Sequence, residues 1–306
     1  MKPDSTTATS TPFFPEFRPL DIDAGGVRFA GVIGGDGPPV LLLHGYPQTH
    51  IAWRRVAPEL ARSHTVIIAD LPGYGASRPD AMTPRWTKRR VGEALVSLME
   101  ALGHSRFAVV GHDRGARVGY RLALDHPEVV TAFASLTVVP TLDAMAAIDF
   151  RLANRAFHWF LLAQPADLPE RMLDADPDAF IDAALEKMTG GRGFIEPAAM
   201  DAYRAAFRIP SVRQAICEDY RAALGEDLAQ DTADYAAGRK MPCPVLALWS
   251  EAESAAGRPT QLDVWRRWAN DVSGTQTSGG HLQPEEAAQE VLAALGPFLA
   301  IKQTER

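Results

Sequence analysis

The segment 111–115, Gly-His-Asp-Arg-Gly, constrains the fold of this chain more than any other feature. It follows a short apolar run at 106–110 and precedes a helical pattern at 116–124. Glycines allow a tight turn between a strand and a helix, because larger side chains would collide there. A G-x-nucleophile-x-G pentapeptide in this setting presents its central residue as a nucleophile. We therefore predict a strand–turn–helix unit with Asp113 as the nucleophile, against the alternative of a chance match in a loop.

A carboxylate at this position restricts the chemistry. Attack of a carboxylate on an ester would give only a reversible anhydride. Attack on saturated carbon instead displaces a leaving group and gives an ester that water can cleave. Asp113 therefore indicates carbon–halogen or epoxide substrates.

The pattern along the chain predicts an α/β fold. Short apolar runs alternate with helical patterns in the first half, as in βαβ units with a parallel sheet. We predict strands at 39–43, 65–69, 107–110, 133–139 and 244–249. The stretch between 140 and 240 is helical, with proline breaks at Pro165, Pro169, Pro177, Pro197 and Pro210. The predicted organisation is an N-terminal arm at 1–18, a mostly parallel sheet flanked by helices at 19–140 and 240–306, and an inserted helical cap at 141–239.

Composition narrows the classes of partner. The 306 residues, 46% of them hydrophobic, suffice for one large core. The net charge of -7 and the lack of a basic run argue against nucleic acid. Two cysteines, Cys217 and Cys243, suit a reducing compartment, and no apolar run reaches the ~18 residues that a membrane span needs. We expect a cytoplasmic protein that binds a small molecule and needs no metal or cofactor, and a homodimer is the assembly that we consider.

A catalytic base and an oxyanion hole can be located by their positions in the chain. His281 follows two glycines and precedes the last helical pattern, which matches the chain order nucleophile, acid, histidine. We predict that it is the base; the alternative is an ordinary loop histidine. The segment 44–48 follows the first predicted core strand, where a loop donates one backbone N–H to an oxyanion hole, and the residue after the nucleophile donates the other. These donors would be Tyr46 and Arg114.

Two arginines follow the nucleophile. Arg114 and Arg117 fall at the start of the predicted helix, where cations oppose the helix dipole by roughly 0.3–1 kcal/mol each. A bound anion would offset this cost, and guanidinium groups suit a carboxylate. We predict a clamp for a substrate carboxylate; the alternative is salt bridges to surface acids.

With these segments in place, the sequence resembles haloacetate dehalogenases of the fluoroacetate type, within the α/β-hydrolase superfamily. The resemblance runs from about residue 21 to the end of the chain. It is carried by His-Gly-Tyr-Pro-Gln-Thr-His at 44–50, Gly-His-Asp-Arg-Gly-Ala-Arg at 111–117, His-Trp-Phe at 158–160, Glu-Asp-Tyr-Arg-Ala at 218–222 and Gly-His at 280–281. It implies an α/β-hydrolase fold and hydrolytic dehalogenation of a small 2-haloacid through a covalent aspartyl ester.

The same resemblance implies a role for each matching residue. Asp113 would be the nucleophile, the two arginines would hold the substrate carboxylate, and His281 would activate the hydrolytic water. His158, Trp159 and Tyr220 would donate hydrogen bonds to the departing halide, which needs donors where its charge develops. Without the resemblance, these three residues would be interpreted as packing residues of the cap.

The chain departs from the family at the triad acid. The family has an aspartate in an L-D-I-x-P-T pattern, and this chain has Thr137 in that place within Leu-Thr-Val-Val-Pro-Thr. A threonine cannot stabilise an imidazolium by charge. Many other α/β-hydrolases place the acid after the seventh strand, where this chain has Glu251 and Glu253. We predict Glu253 as the acid, with Glu251 second; the alternative is that both are surface residues.

Two other functions remain open. An epoxide hydrolase needs an acid for the opening alkoxide, usually two cap tyrosines, and Tyr203, Tyr220 and Tyr235 are available. Arg114 instead favours a carboxylated substrate. The second alternative is a catalytically weakened protein that binds haloacids, because Thr137 replaces the acid.

Overall fold

The computed structural model describes residues 12–189, 193–251 and 259–301. Its strands are β1 Arg18–Ala24, β2 Val27–Gly34, β3 Pro39–Leu43, β4 Thr65–Ala69, β5 Arg78–Pro79, β6 Phe107–His112, β7 Val130–Leu136, β8 Val245–Ser250 and β9 Val272–Thr277. They form one sheet in the order β1-β2-β4-β3-β6-β7-β8-β9, and β5 pairs with β2. The β1–β2, β2–β4 and β2–β5 pairs are antiparallel, and the other pairs are parallel. The predicted α/β fold is therefore confirmed.

The five predicted strands are present, but β7 differs from its prediction. It was expected at 133–139, and it runs over Val130–Leu136. Thr137 has a φ of 72° and leaves the extended conformation, which ends the strand. Val138 and Val139 continue the apolar run because they line a cavity and not because they belong to the sheet.

The helices are α1 Ala57–Leu60, α2 Lys88–Ala101, α3 Arg114–Asp125, α4 Thr141–Ala146, α5 Phe150–Arg155, α6 Phe157–Leu162, α7 Leu168–Ala175, α8 Pro177–Met188, α9 Pro197–Phe207, α10 Pro210–Ala222, α11 Leu228–Ala236, α12 Gln261–Trp268, α13 Gln283–Glu286 and α14 Ala288–Ile301, with a 3₁₀ turn at His50–Trp53 and a π turn at Ala223–Asp227. Proline is the first residue of α8, α9 and α10, where its missing N–H costs no helical hydrogen bond. No helix in the described ranges is long and apolar enough to cross a bilayer.

The sheet has a hydrophobic core on each face. Alternate residues of the central strands point to opposite sides, so Leu41 and Val109 belong to one core, and Leu42 and Val110 to the other. Helices α2 and α3 cover the first face, and α1 and α14 cover the second. Both faces are therefore buried, as expected of a mostly parallel sheet.

The helices α4 to α11 lie in the chain between β7 and β8, within the predicted cap. The division into domains stays a prediction. The described end of the predicted arm is packed and not loose. Phe14 and Phe17 are buried, their ring centroids are 5.4 Å apart, and both belong to the core on the α14 side of the sheet.

Candidate active site

Asp113 lies on a sharp turn between β6 and α3. Its φ is 48°, in the left-handed region that few side chains adopt. The turn packs against the end of β3 so closely that a Cβ on Gly115 would lie 2.3 Å from the Leu43 carbonyl oxygen. A Cβ on Gly45 would lie 2.4 Å from the Asp113 Cβ. The glycines are thus required by close approach, and the turn directs the Asp113 carboxylate toward the carboxyl ends of the strands.

The Asp113 carboxylate is buried and held by two groups. Its Oδ1 accepts a hydrogen bond of 2.9 Å from the Tyr46 backbone N–H, and its Oδ2 lies 3.4 Å from His281 Nε2. Burial alone would raise the pKa of Asp113, but the hydrogen bond and charge of His281 outweigh it, and the pKa lies well below its usual range. Asp113 is therefore an ionised carboxylate beside an imidazole.

The loop that carries Tyr46 is fixed by buried polar contacts. His44 Nε2 accepts a hydrogen bond of 3.0 Å from the Leu71 backbone N–H, and burial lowers the pKa of His44, so this imidazole is neutral. Asp70 accepts from the backbone N–H groups of His50 and Ala76. The predicted second oxyanion donor, Arg114, is the first residue of α3, where backbone N–H groups lack an intrahelical acceptor.

The His281 backbone is anchored from two sides. Its carbonyl oxygen accepts a hydrogen bond of 2.8 Å from His112 Nε2, next to the nucleophile. Its N–H donates to the Met188 carbonyl, 3.1 Å away at the end of α8. Burial lowers the pKa of His112 to about 4, so His112 acts as a neutral donor that positions the loop.

Arg117 is a buried cation beside the nucleophile. Its Nη1 donates to the Val139 carbonyl at 3.2 Å and to the Thr141 hydroxyl at 3.0 Å, and its guanidinium carbon lies 5.5 Å from the Trp159 ring centroid. In the described part of the chain, no carboxylate lies within salt-bridge distance of Arg117. Burial and the charge of Arg114 lower the pKa of Arg117. A buried guanidinium of this kind is complementary to an anionic ligand.

Arg114 is placed differently, since it pairs with a carboxylate of the protein. Its Nε donates to Asp219 Oδ2 at 2.7 Å, and its Nη2 donates to the Asp219 carbonyl at 3.0 Å. Lys88 also bonds the Asp219 carboxylate, and Tyr74 donates to it at 2.9 Å. Burial opposes ionisation of Asp219, but the charges of Arg114 and Lys88 hold its pKa well below the usual range. The charge of Arg114 is therefore already balanced.

Two of the predicted halide donors, His158 and Tyr220, contact Tyr46, and the Trp159 ring centroid lies 6.4 Å from that of the His158 ring. The Tyr46 ring stacks on His158 at a centroid distance of 5.4 Å and meets Tyr220 edge-on at 5.4 Å. Tyr220 lies under the Arg114 guanidinium at 4.4 Å. Burial lowers the pKa of His158 to about 4, so its imidazole is neutral at pH 7. His158 and Trp159 line the cavity at Asp113, whereas Tyr220 is not among its described lining residues.

The cavity at Asp113 has a volume of about 500 Å³ and also contacts Arg117, Thr137 and His281. Of the tyrosines considered for an epoxide hydrolase, none is among the described lining residues. Tyr203 donates to Glu285 at 2.7 Å, and Tyr235 is 44% exposed.

Thr137, at the position where the resembled family has its triad acid, has a backbone φ of 72°. The Thr137 hydroxyl donates to the Leu136 carbonyl at 2.7 Å and is committed to its own chain. Gln261 Nε2 donates to the Thr137 carbonyl at 3.1 Å. Glu251 is exposed at the end of β8, and Glu253 lies outside the described residues. The assignment of Glu253 therefore stays a prediction.

Sequence reasoning missed several residues of the site. Gln261 and Ser250 line the cavity near Thr137, and the exposed cations Arg155 and Lys187 line it from the cap helices. No motif marks them, because each is brought to the cavity by the fold alone.

Sequence reasoning also missed a buried polar cluster around Glu285. Glu285 Oε1 accepts hydrogen bonds of 2.7 to 3.0 Å from Arg54, Tyr203 and Gln48. Tyr203 belongs to α9, and Glu285 follows His281 by four residues. The cluster joins the segment after the base to a helix of the predicted cap.

The known proteins that this chain resembles match it over most of its length. A family model described as alpha/beta hydrolase fold matches residues 38–286. A fluoroacetate dehalogenase from a Burkholderia species is 37% identical and covers 96% of this chain and 99% of its own length. A soluble epoxide hydrolase from Corynebacterium is 30% identical, over 90% of this chain and 94% of that protein. A mutant structure of a candidate epoxide hydrolase from Pseudomonas aeruginosa with bound MFA is 50% identical, covers 96% of this chain and 99% of that one, and has a TM-score of 0.93.

Proposed function

The chain belongs to the α/β-hydrolase family and is a hydrolase, and we propose that it hydrolyses the carbon–halogen bond of small 2-haloacids through a covalent ester on Asp113. The observation that carries the proposal is Arg117, a buried guanidinium beside the nucleophile with no carboxylate partner in the described part of the chain. The charges of Asp113 and Asp231 act on Arg117 without pairing with it directly. Burial of such a cation is costly, and a substrate carboxylate bound to it would compensate the cost. The similarity to a fluoroacetate dehalogenase over nearly the full length supports the same reaction.

The first half-reaction is a displacement at saturated carbon. An Asp113 oxygen attacks the carbon that bears the halogen, a C–O bond forms, and the C–halogen bond breaks with its electron pair on the halide. Arg117 holds the substrate carboxylate during this step. His158 and Trp159 donate N–H groups toward the leaving halide, and the neutral state of His158 leaves one ring N–H as donor.

The second half-reaction regenerates the carboxylate. His281 takes a proton from water, which attacks the carboxyl carbon of the ester, and the N–H groups of Tyr46 and Arg114 stabilise the oxyanion. The bond between the Asp113 carboxyl carbon and the ester oxygen then breaks, and this oxygen leaves with the substrate as an alkoxide that takes the proton from His281. The products are a 2-hydroxy acid, a halide ion and one proton, and Asp113 is ionised again.

An epoxide hydrolase is the alternative, since relatives carry that name. The opening alkoxide would need a proton donor in the cavity, and Tyr203, Tyr220 and Tyr235 are not among its described lining residues. The unpaired Arg117 would also be unfavourable beside a neutral epoxide. Both observations favour a carboxylated substrate.

Turnover of two substrates decides between these functions. The purified protein is incubated with fluoroacetate, followed with a fluoride electrode, and with styrene oxide, followed by diol formation. We expect fluoride release and no diol above the uncatalysed rate. Diol formation without fluoride release would overturn the proposal.

Replacing the Arg117 guanidinium should affect charged substrates selectively. In Arg117→Met we expect the KM for fluoroacetate to rise by about 10- to 100-fold, because one charge-assisted contact contributes roughly 1.5–3 kcal/mol. The rate with fluoroacetamide, a neutral substrate of the same shape, should change much less. Arg62→Met removes an arginine that is exposed and pairs only with Glu59 in the described residues, and it serves as the control. Equal losses on both substrates would place the clamp elsewhere.

Restoring a carboxylate at position 137 should accelerate ester hydrolysis. Aspartate and asparagine tolerate the positive φ of this residue better than β-branched threonine. Thr137→Asp and Thr137→Asn should therefore both raise Tm, and only Thr137→Asp should raise the single-turnover rate of ester hydrolysis, by about ten-fold or more. Equal rates in the two variants would mean that another carboxylate, such as Glu253, already balances His281, and Glu253→Gln should then slow the same step.

A further inference from the structure

The cavity at Asp113 is much larger than a two-carbon haloacid. Its volume is about 500 Å³, and pockets of ~300–1,000 Å³ in proteins commonly hold drug-sized ligands. Fluoroacetate has five heavy atoms, so it would leave most of this space unfilled. The unfilled space must accommodate either water or another part of a larger substrate.

The walls of the cavity differ in polarity. The reactive groups Asp113 and His281 lie 3.4 Å apart and line the cavity together with Arg117. Among the described lining residues, those from α4, α5, α6 and α8 are mainly apolar, among them Ala144, Leu152, Phe157, Phe180, Ala184 and Met188, and they also include the exposed cations Arg155 and Lys187. An apolar wall is poorly hydrated and favours an apolar group over water.

The small side chains of that wall create the space. Ala144 on α4 and Ala184 on α8 both line the cavity, and Ala144 is only 6% exposed. A larger residue at either position would fill part of the volume. The short side chains at these two positions therefore contribute to the volume of the cavity.

We propose that the preferred substrates are 2-haloacids with a large apolar substituent, such as a phenyl ring, on the carbon that bears the halogen. The proposal rests on the proposed function. The carboxylate binds Arg117, the halogen-bearing carbon faces Asp113, and the substituent packs against the wall formed by Ala144, Ala184 and Phe180. Attack by Asp113 from the side opposite the halogen inverts the configuration at this carbon, and water attack on the ester then leaves it unchanged.

Two pairs of small molecules test the proposal on the full-length protein. The substrates are fluoroacetate and racemic 2-fluoro-2-phenylacetate, compared by kcat/KM from fluoride release. The ligands are their products, glycolate and mandelate, compared by Kd from calorimetry. We expect a higher kcat/KM for the phenyl substrate and a Kd for mandelate at least about ten-fold lower than for glycolate, which corresponds to ~1.4 kcal/mol.

Substitutions in the apolar wall locate the effect. Ala144→Phe and Ala184→Phe should lower the ratio of kcat/KM for the phenyl substrate over fluoroacetate by at least about ten-fold, since the new ring occupies the place of the substrate ring. Ala146→Phe is the matched control, because Ala146 lies on α4 but is exposed and is not among the described lining residues. This variant should leave the ratio unchanged.

The outcomes separate the two proposals. Fluoride release from fluoroacetate but not from the phenyl substrate, with equal Kd values for glycolate and mandelate, would overturn the inference and leave the proposed function intact. If neither acid releases fluoride, the proposed function fails. Tighter binding of mandelate that is lost in Ala144→Phe would then still support the apolar subsite, and weak binding of both products would overturn it.

Discussion

Asp113→Asn should reduce fluoride release from haloacids by about 10⁴-fold or more, because an amide is not an adequate nucleophile. The variant should fold normally. Asparagine has the shape of aspartate and tolerates the φ of 48° at this turn. The measurement is fluoride release by protein whose intact mass excludes deamidation, because an asparagine that reverts to aspartate would restore the nucleophile.

A matched control for this variant is Asp21→Asn, which alters an exposed aspartate paired with Arg28 on β2. It should retain the rate of the unmodified protein. Release at that rate by homogeneous Asp113→Asn protein would end the assignment of Asp113 as the nucleophile.

His281→Gln should convert the enzyme into a single-turnover protein. The imidazole lies 3.4 Å from the Asp113 carboxylate, so it is close enough to activate water that attacks the ester. Displacement of halide does not require a base, whereas ester hydrolysis should slow by about 10²–10⁴-fold. With fluoroacetate as substrate, we expect a burst of one fluoride per protein molecule and then almost no further release. The intact mass of the protein should increase by one carboxymethyl group.

His126→Gln is the control for that experiment, since His126 caps the end of α3 and lies near Glu128 on the surface. It should show continuous turnover and no added mass. Steady turnover without an adduct in His281→Gln would show that another group activates the water.

Much of the fold was predictable because its signals are local. The runs that became β3, β4 and β6 are continuously apolar, since both faces of the sheet are covered, and a run of this kind can be recognised in one short window. The strands β1, β2, β5 and β9 were missed. Of these, β1 and β9 are the clearest cases. They carry many polar and exposed residues at the two edges of the sheet, where partners far along the chain decide the conformation.

Individual residues of the site could be predicted from the sequence, but the ion pairs that they form could not. The turn at Asp113 has a sequence signature, because close approach demands glycine on both sides of it. Arg114 and Arg117 look equivalent in the sequence, yet only the former is paired with Asp219, which lies about a hundred residues further along the chain. The size of the cavity depends likewise on how α4 and α8 pack, and no local pattern encodes that distance.

The buried cluster of Lys88, Arg114 and Asp219 should couple the unfolding of the three helices that it joins. Lys88 begins α2, Arg114 begins α3, and Asp219 belongs to α10 of the predicted cap. Unfolding of α10 alone would take Asp219 away from Arg114 and Lys88, while Asp227 would remain 3.7 Å from Lys88 Nζ. Breaking a buried ion pair costs about 3–5 kcal/mol. Amide hydrogens of α10 and α3 should therefore exchange with solvent in one event and not in two. Because the pKa of Asp219 is lowered in the folded state, its contribution is complete above the pKa of an unfolded aspartate and disappears only as the pH falls through the folded value. At neutral pH, we therefore expect α10 and the two helices that it is paired with, α2 and α3, to unfold as one thermodynamic unit.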